Sequence, residues 1–361
     1  MKTNKLIVLA AAATVLGVAA FMSSKSNKVR TPSQVGKELL PDLDLSKIMK
    51  IELKRANGDN LLLASSDQGW KINSLYDYPA DIAKIRERLL TVKGLKIGQK
   101  STPEKVASAD VLDLQDATGK SLATLLIGDE HMRKASGQMA QFGGGSFPDG
   151  RYVSLGTDKE SWLVKETLSS FTSEPSNWAD NSIISISSGD VNGIALMQNE
   201  SSCIMSKKDG EWNIADLADD EEFDTSSAYS LESALSSLTF NNLADPALSD
   251  EELGITTGGV FKVTLKSGES YTASLGNKVA DGSDRYMKIK ASFTPQGTNE
   301  TVNAEIRTKV DTFNAEKSVW SYVIPSYKAE TMMKKRSDIV KKKEAEEPAE
   351  EEPQKNEAEQ S

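Results

Sequence analysis

Apolar and polar side chains alternate over Ile51 to Arg55 and Leu61 to Leu63, and again over Val191 to Met197 and Cys203 to Met205. That period of two predicts half-buried strands. Both series lead through a Gly-bearing turn into a tryptophan strand, Gly69-Trp70-Lys71-Ile72 in one place and Gly210-Glu211-Trp212-Asn213-Ile214 in the other. Gly, Asn and Asp between alternating runs mark antiparallel hairpins. The period then lengthens. Ile82, Ile85, Leu89 and Val92 follow Pro79 and Asp81, and Tyr229, Leu231, Leu235 and Leu238 follow Asp224. Each set predicts one amphipathic helix behind an acidic cap. Period two returns in Val111 to Leu114, Leu122 to Ile127 and Arg151 to Leu155, and likewise in Val260 to Leu265, Tyr271 to Leu275 and Arg285 to Lys290. A helical stretch ending near Phe171 or Phe313, then an extended run after Trp178 or Trp320, closes each series.

The two series read as an internal repeat. Trp70, Phe171 and Trp178 recur as Trp212, Phe313 and Trp320, each 142 positions later, and Ile72 recurs as Ile214. The expected fold is α+β: two tandem copies of a strand-rich antiparallel module with about two helices each, over residues 46–187 and 188–328, behind an N-terminal membrane helix. The offset drifts between these markers, where Gly128 answers Gly276 and Tyr152 answers Tyr286. Loops of unequal length account for it, the first copy carrying a longer tip from Gly137 to Asp149. Shared positions point to shared packing, so Trp70, Phe171, Trp178, Trp212, Phe313 and Trp320 are expected in the core of each copy.

The chain ends differ from this body. Lys2 and Lys5 precede an apolar run from Leu6 to Met22, broken only by Thr14 and Gly17. About 1.5 Å per residue makes it short for a bilayer core of about 30 Å, yet it is long for a cleavable signal core. Residues 1–22 are therefore read as a single-pass anchor with the body on the extracytoplasmic side, or as a signal cut near Ala20 to leave a secreted or periplasmic chain. Residues 23–45 are the linker. At the other end, residues 329–361 are read as a basic helix bearing Lys334, Lys335, Arg336 and Lys341 to Lys343, followed by a disordered acidic tail. Glu344 to Ser361 holds eight acidic residues and carries −7 of the net charge of −10, with no apolar side chain larger than alanine.

Composition narrows the chemistry. A single cysteine, Cys203, excludes an intrachain disulfide and any paired-cysteine metal site, and lies in a strand run as a small hydrophobe. The single histidine, His131, falls in a polar segment read as an exposed loop. No serine elbow, Walker loop, HExxH or dinucleotide fingerprint accompanies it, so neither enzyme activity nor cofactor nor metal is expected. The nearly neutral body carries no basic, aromatic-interleaved surface for nucleic acid. Acidic side chains at Asp219 to Glu222 and Asp224 offer hard oxygen ligands without a calcium loop, and are read as the start of a helix. Asp129, Glu130 and Asp149 would serve a hydrolase only if folding brought two of them into one pocket. Trp162, which has no tryptophan counterpart, His131, and Gly144 within the Gly143-Gly144-Gly145 tip form the candidate surface for a ligand or partner.

Several short elements carry a resemblance: Gly69-Trp70-Lys71-Ile72, Leu126-Ile127-Gly128-Asp129, Gly150-Arg151-Tyr152-Val153 and Trp162-Leu163-Val164, then Glu252-Leu253-Gly254-Ile255, Leu275-Gly276-Asn277, Arg285-Tyr286 and the run from Trp320 to Lys328. Together they resemble the domain-of-unknown-function 4340 family of bacterial envelope proteins, over roughly residues 46–330. No Gly-Leu element follows Pro103 in the first copy, where the pattern departs. The resemblance implies an N-terminally anchored protein, often encoded beside ABC-type transport components, and no catalytic residues. The expectation is a non-enzymatic scaffold or accessory subunit of an envelope complex that contacts such components. The alternative is a glycan- or peptide-binding module using a cleft between the repeats.

Overall fold

The computed structural model describes residues 34–135, 145–156, 160–198, 201–280 and 282–343. The apolar run of residues 6–22, Gly144 and the acidic run of residues 344–361 lie outside them. No helix among the described residues is long and apolar enough to cross a membrane. The chain divides into two compact units, one of residues up to 62 with 82–173, the other of 63–81 with 174–361.

The first sheet is built from β1 (Lys50–Lys54), β2 (Asn60–Ser66), β3 (Gly69–Ile72), β4 (Tyr78–Pro79), β5 (Lys100–Ser101), β6 (Asp110–Gln115), β7 (Ser121–Lys134), β8 (Ser146–Leu155) and β9 (Ser161–Val164). Beyond it lie β10 (Ser182–Ile184), β11 (Val191–Gln198), β12 (Ser201–Lys208), β13 (Glu211–Ile214), β14 (Glu221–Phe223), β15 (Leu238–Thr239) and β16 (Asn242–Leu243). The last strands are β17 (Gly259–Leu265), β18 (Glu269–Lys278), β19 (Arg285–Phe293), β20 (Tyr322–Ile324) and β21 (Val340–Lys342). The first sheet runs β4-β3-β2-β1-β6-β7-β8-β9-β5 and the second β13-β12-β11-β17-β18-β19-β20-β16. Apart from β4, the two paths are the same: a three-stranded meander, a four-stranded meander, and a short edge strand drawn from the connection between them. Neighbouring strands among the described residues pair antiparallel, as alternation with short turns requires. With four α-helices among the described residues the fold is α+β.

Register makes the correspondence residue by residue. Leu53 pairs with Leu112 and Leu112 with Leu125, as Leu196 pairs with Phe261 and Phe261 with Ala273. These rows are buried in both sheets. Trp70 faces Ser65 across a hairpin as Trp212 faces Lys207, so this pair does occupy matching places. Trp212 is buried, its indole donating to Glu232 at 3.0 Å, while Trp70 is only half-buried.

The fixed offset of 142 fails beyond β8. Only residues 156–160 join β8 to β9, whereas a helix, α3 (Glu300–Glu316), is inserted between β19 and β20. Phe313 therefore lies on that helix, its ring 5.2 Å from Tyr271, while Phe171 follows β9 in irregular chain. Trp178 lies after β9 and Trp320 before β20, so neither pair is structurally equivalent. Phe171 and Trp178 are buried, but Phe313 and Trp320 are half-buried and not core. The strand partners reassign Trp162 instead. Val153 pairs with Trp162 as Met287 pairs with Tyr322, so its counterpart is Tyr322, fully buried.

The helices follow local rules unevenly. In α1 (Ile82–Lys93) Ile85, Arg88, Leu89 and Val92 are buried at helical spacing, while Ile82 faces outward. Asp224 caps α2 (Thr225–Glu232) by accepting from the Ser226 amide at 3.0 Å. That helix ends before Leu235 and Leu238, and Tyr229 is 61% exposed. The fourth helix, α4 (Ser326–Met332), stops before the basic residues. The first unit holds one α-helix and the second three among the described residues; the expected closing helix before Phe171 is absent from them.

Two strand glycines explain the short motifs around them. A Cβ on Gly128 would meet the Lys105 carbonyl oxygen at 2.1 Å, and one on Gly276 the Leu253 carbonyl oxygen at 2.2 Å. Only glycine admits another backbone that closely. The turn crossing Gly276 is Glu252-Leu253-Gly254-Ile255, whose Ile255 packs with Leu253 and Ala244 against Tyr286. In the first unit the one-turn helix Pro103–Val106 takes that place, with the Lys105 ammonium 5.5 Å from the Tyr152 ring. The first unit thus fills the position of the missing Gly-Leu element with a different turn.

Candidate functional site

Gly144 lies outside the described residues, and the structure does not bring the other two candidate surface residues, Trp162 and His131, together. Trp162 pairs with Val153, a core position, and is half-buried with the Lys100 ammonium 5.7 Å from its ring. His131 belongs to β7 and not to a loop: it pairs with Gly150, and its ring meets Tyr152 edge-on at 5.9 Å. Neighbouring strand residues point to opposite faces, so Tyr152 and His131 lie on the face away from Val153 and Trp162. His131 Nδ1 lies 2.6 Å from Asp149 Oδ1. The three acids considered for hydrolysis are each held by a different base: Asp129 by Lys105 at 3.3 Å, Glu130 by Arg151 at 2.8 Å, and Asp149 by His131.

The acidic cluster and the basic stretch pair with each other. The basic residues form no α-helix: Arg336 opens a one-turn helix, Arg336–Asp338, that leads into β21, which pairs with β14, Glu221 facing Lys342 and Glu222 facing Lys341. Arg336 grips both oxygens of Glu221 at 2.7 Å, which holds that carboxyl down at about 2. Lys343 donates to the Asp219 carbonyl at 2.7 Å. Asp224 is likewise held at about 2, by the hydroxyls of Ser226 and Ser227. Among the described residues no group of three or more His, Cys, Asp or Glu could hold a metal ion. Cys203 is buried opposite Leu196, and burial pushes its thiol up.

The second sheet has two unlike faces. One row crosses it as Cys203, Leu196, Phe261, Ala273 and Ile289, all buried. The adjacent rows on the other face read Ile204, Ala195, Lys262, Thr272, Lys290 and Ser202, Met197, Val260, Ser274, Lys288. None of these ten is buried; Ile204 is 59% exposed and Met197 40%. At its β19 end this face opens into a cavity of about 390 Å³, where Lys288 bonds Asp250 at 2.5 Å.

A second concavity in the same unit has an aromatic wall. It measures about 460 Å³ and is lined by Tyr78, Pro79, Ala80, Asp180, Glu316, Lys317, Val319 and Trp320 among others. Its base is fixed by packing, with Tyr78 edge-on to Trp320 at 5.1 Å and to Phe240 at 5.2 Å. Burial, then the nearby Asp180 charge, raises the Tyr78 phenol beyond the usual tyrosine range; Glu316 adds to it. The rim is apolar at Val319, 64% exposed, and acidic at Asp180 and Glu316. Lys317 turns its ammonium to the Ser182 carbonyl at 2.9 Å. No sequence pattern announced this site, because its walls come from three separated segments. Trp320 was its one visible signal, and the repeat spacing assigned that residue to the core.

Comparison with curated proteins gave no match, and comparison with solved structures gave none either. A family described as Domain of unknown function (DUF4340) matches residues 70–256, from the tryptophan strand of the first series to the Leu253-Gly254 turn over Gly276. That span is more than half of the 361 residues, and the chain belongs to the DUF4340 family.

Proposed function

We propose that this protein is a non-enzymatic accessory or scaffold subunit of a bacterial envelope complex, held at the membrane by residues 6–22 with its units on the extracytoplasmic side. The observation that carries the reading is the outer face of the second sheet. Its two rows set exposed Ile204 and Met197 beside Lys262, Lys288 and Lys290 with short Ser and Thr between them. A face that keeps two apolar side chains exposed beside half-buried to exposed lysines suits a protein partner better than a small substrate. The family resemblance directs attention to ABC-type transport components as that partner. The test is crosslinking in cells of the tagged full-length protein, followed by mild-detergent purification, against a copy lacking residues 1–22. Recovery of transport subunits with the anchored form alone supports the reading; recovery of the protein alone in both forms ends it.

The second reading, an extracytoplasmic ligand-binding module, is favoured by the aromatic-walled concavity of the second unit. Its volume lies in the range of small-molecule sites, and a half-buried tryptophan beside two carboxylates can orient a bound group.

A further inference from the structure

We infer that the concavity formed by Tyr78, Trp320, Asp180 and Glu316 binds an organic ammonium ion, an apolar body bearing a cationic nitrogen. The inference rests on the second reading above, and is independent of the anchor and of the outer sheet face. Three features select that chemistry over a neutral sugar or an anion.

The first is the wall. The Trp320 and Tyr78 rings meet at 62°, with Tyr78 buried as the base and Trp320 half-buried, so the indole is the aromatic surface left to a ligand. A cation over an indole face is attracted by the ring quadrupole, and the attraction grows as water is excluded. The second is the sign of the charge. Asp180 and Glu316 both line the concavity together with the two rings. Against them stands Lys317, committed to the Ser182 carbonyl, so the lining carries one net negative charge. An anionic ligand would be repelled, and a neutral one would gain nothing from the carboxylates beyond hydrogen bonds. The third is the rim. Val319, Pro79, Ala80 and Ala315 give an apolar border that can hold the carbon frame of a ligand whose nitrogen reaches the acids. Asp180 is anchored as well: its Oδ1 accepts from the Ser182 amide at 3.1 Å, which fixes the carboxylate where β10 begins.

The test uses the full chain in polyoxyethylene-ether micelles, followed by the indole N–H resonances of its five tryptophans; Trp320→Phe identifies the Trp320 signal. Cyclohexylammonium is the probe, cyclohexylmethanol its neutral counterpart, and methyl glucoside the sugar control. The expected result is a saturable shift of the Trp320 resonance by cyclohexylammonium, at least tenfold tighter than by either neutral compound, and weakening as salt is raised. Asp180→Asn with Glu316→Gln should weaken it tenfold or more. Both residues are exposed, and asparagine keeps the oxygen that accepts from Ser182, so the variant should fold. If methyl glucoside binds as tightly as the cation, or the double variant leaves cation binding unchanged, the ammonium assignment is overturned while the concavity remains a ligand site. If no probe moves the Trp320 resonance, both this inference and the second reading fall, and the accessory-subunit reading stands apart.

Discussion

The two sheets follow the same path, yet the same row of strand positions carries opposite charge. In the first sheet Glu52 faces Asp113, which faces Thr124; in the second Ala195 faces Lys262, which faces Thr272 and then Lys290. The threonine is shared, Glu52 is answered by Ala195 and Asp113 by Lys262, and the row continues to Lys290. Inner rows show no such divergence, since Leu112 and Phe261 or Leu125 and Ala273 change size but stay apolar and buried. Packing holds one face of each sheet to a narrow chemistry, while the opposite face is left free to differ. A common architecture here presents two electrostatic surfaces.

The largest effect is expected at the exchanged aromatic pair. Tyr322→Ala empties a fully buried site and should cost about 3–5 kcal/mol, whereas Trp162→Ala, at the matching half-buried position, should cost about 1–2 kcal/mol. Urea unfolding monitored by circular dichroism measures both, and equal losses would undo the register assignment. Next come the glycines beneath the crossing turns. Gly128→Ala and Gly276→Ala should each cost about 1–3 kcal/mol, and by similar amounts, because each Cβ meets a carbonyl oxygen near 2 Å. A large loss at Gly276 alone would show that Pro103–Val106 does not do what Glu252–Ile255 does.

Acid separates the units more gently. Glu221 and Asp224 both lie in the second unit with carboxyls near 2. A depressed folded-state value means the unfolded chain binds the proton more readily, so their contribution is complete above about pH 4.5 and is lost as pH falls toward 2. Hydrogen exchange of the Val340 amide across that window should show β21 loosening, and Arg336→Ala should flatten the response. The smallest effect on stability belongs to the outer face: Met197→Ser with Ile204→Ser should change unfolding by about 0.5 kcal/mol or less. The same variant should lose the crosslinked partner, which the unchanged fold makes interpretable.

The strands were legible because their signal is local. Alternation over Val260 to Leu265 or Tyr271 to Leu275 needs only neighbours to be read, and both fell within one residue or two of β17 and within β18. The cap at Asp224 was equally local. Failures came where distance mattered. A constant spacing between aromatic residues cannot reveal that α3 occupies one β8-to-β9-type connection and not the other, so Phe313 and Trp320 were matched to the wrong partners. The basic run carries no alternation that marks a strand, and only pairing with Glu221 and Glu222 makes Val340–Lys342 one in place of the expected helix. The aromatic corner needed Tyr78, Asp180 and Trp320 at once, three places that nothing short of folding joins.

The pairing of β21 with β14 also sets an order of events during synthesis. Ile339 is fully buried and its carbonyl accepts from the Asp224 amide at 2.8 Å, beside the cap of α2. More than a hundred residues are made between those two partners. A nascent chain therefore holds the β14 edge and the start of α2 without their backbone partner until residue 340 has emerged. A chain that stops short of β21 leaves the β14 edge unpaired.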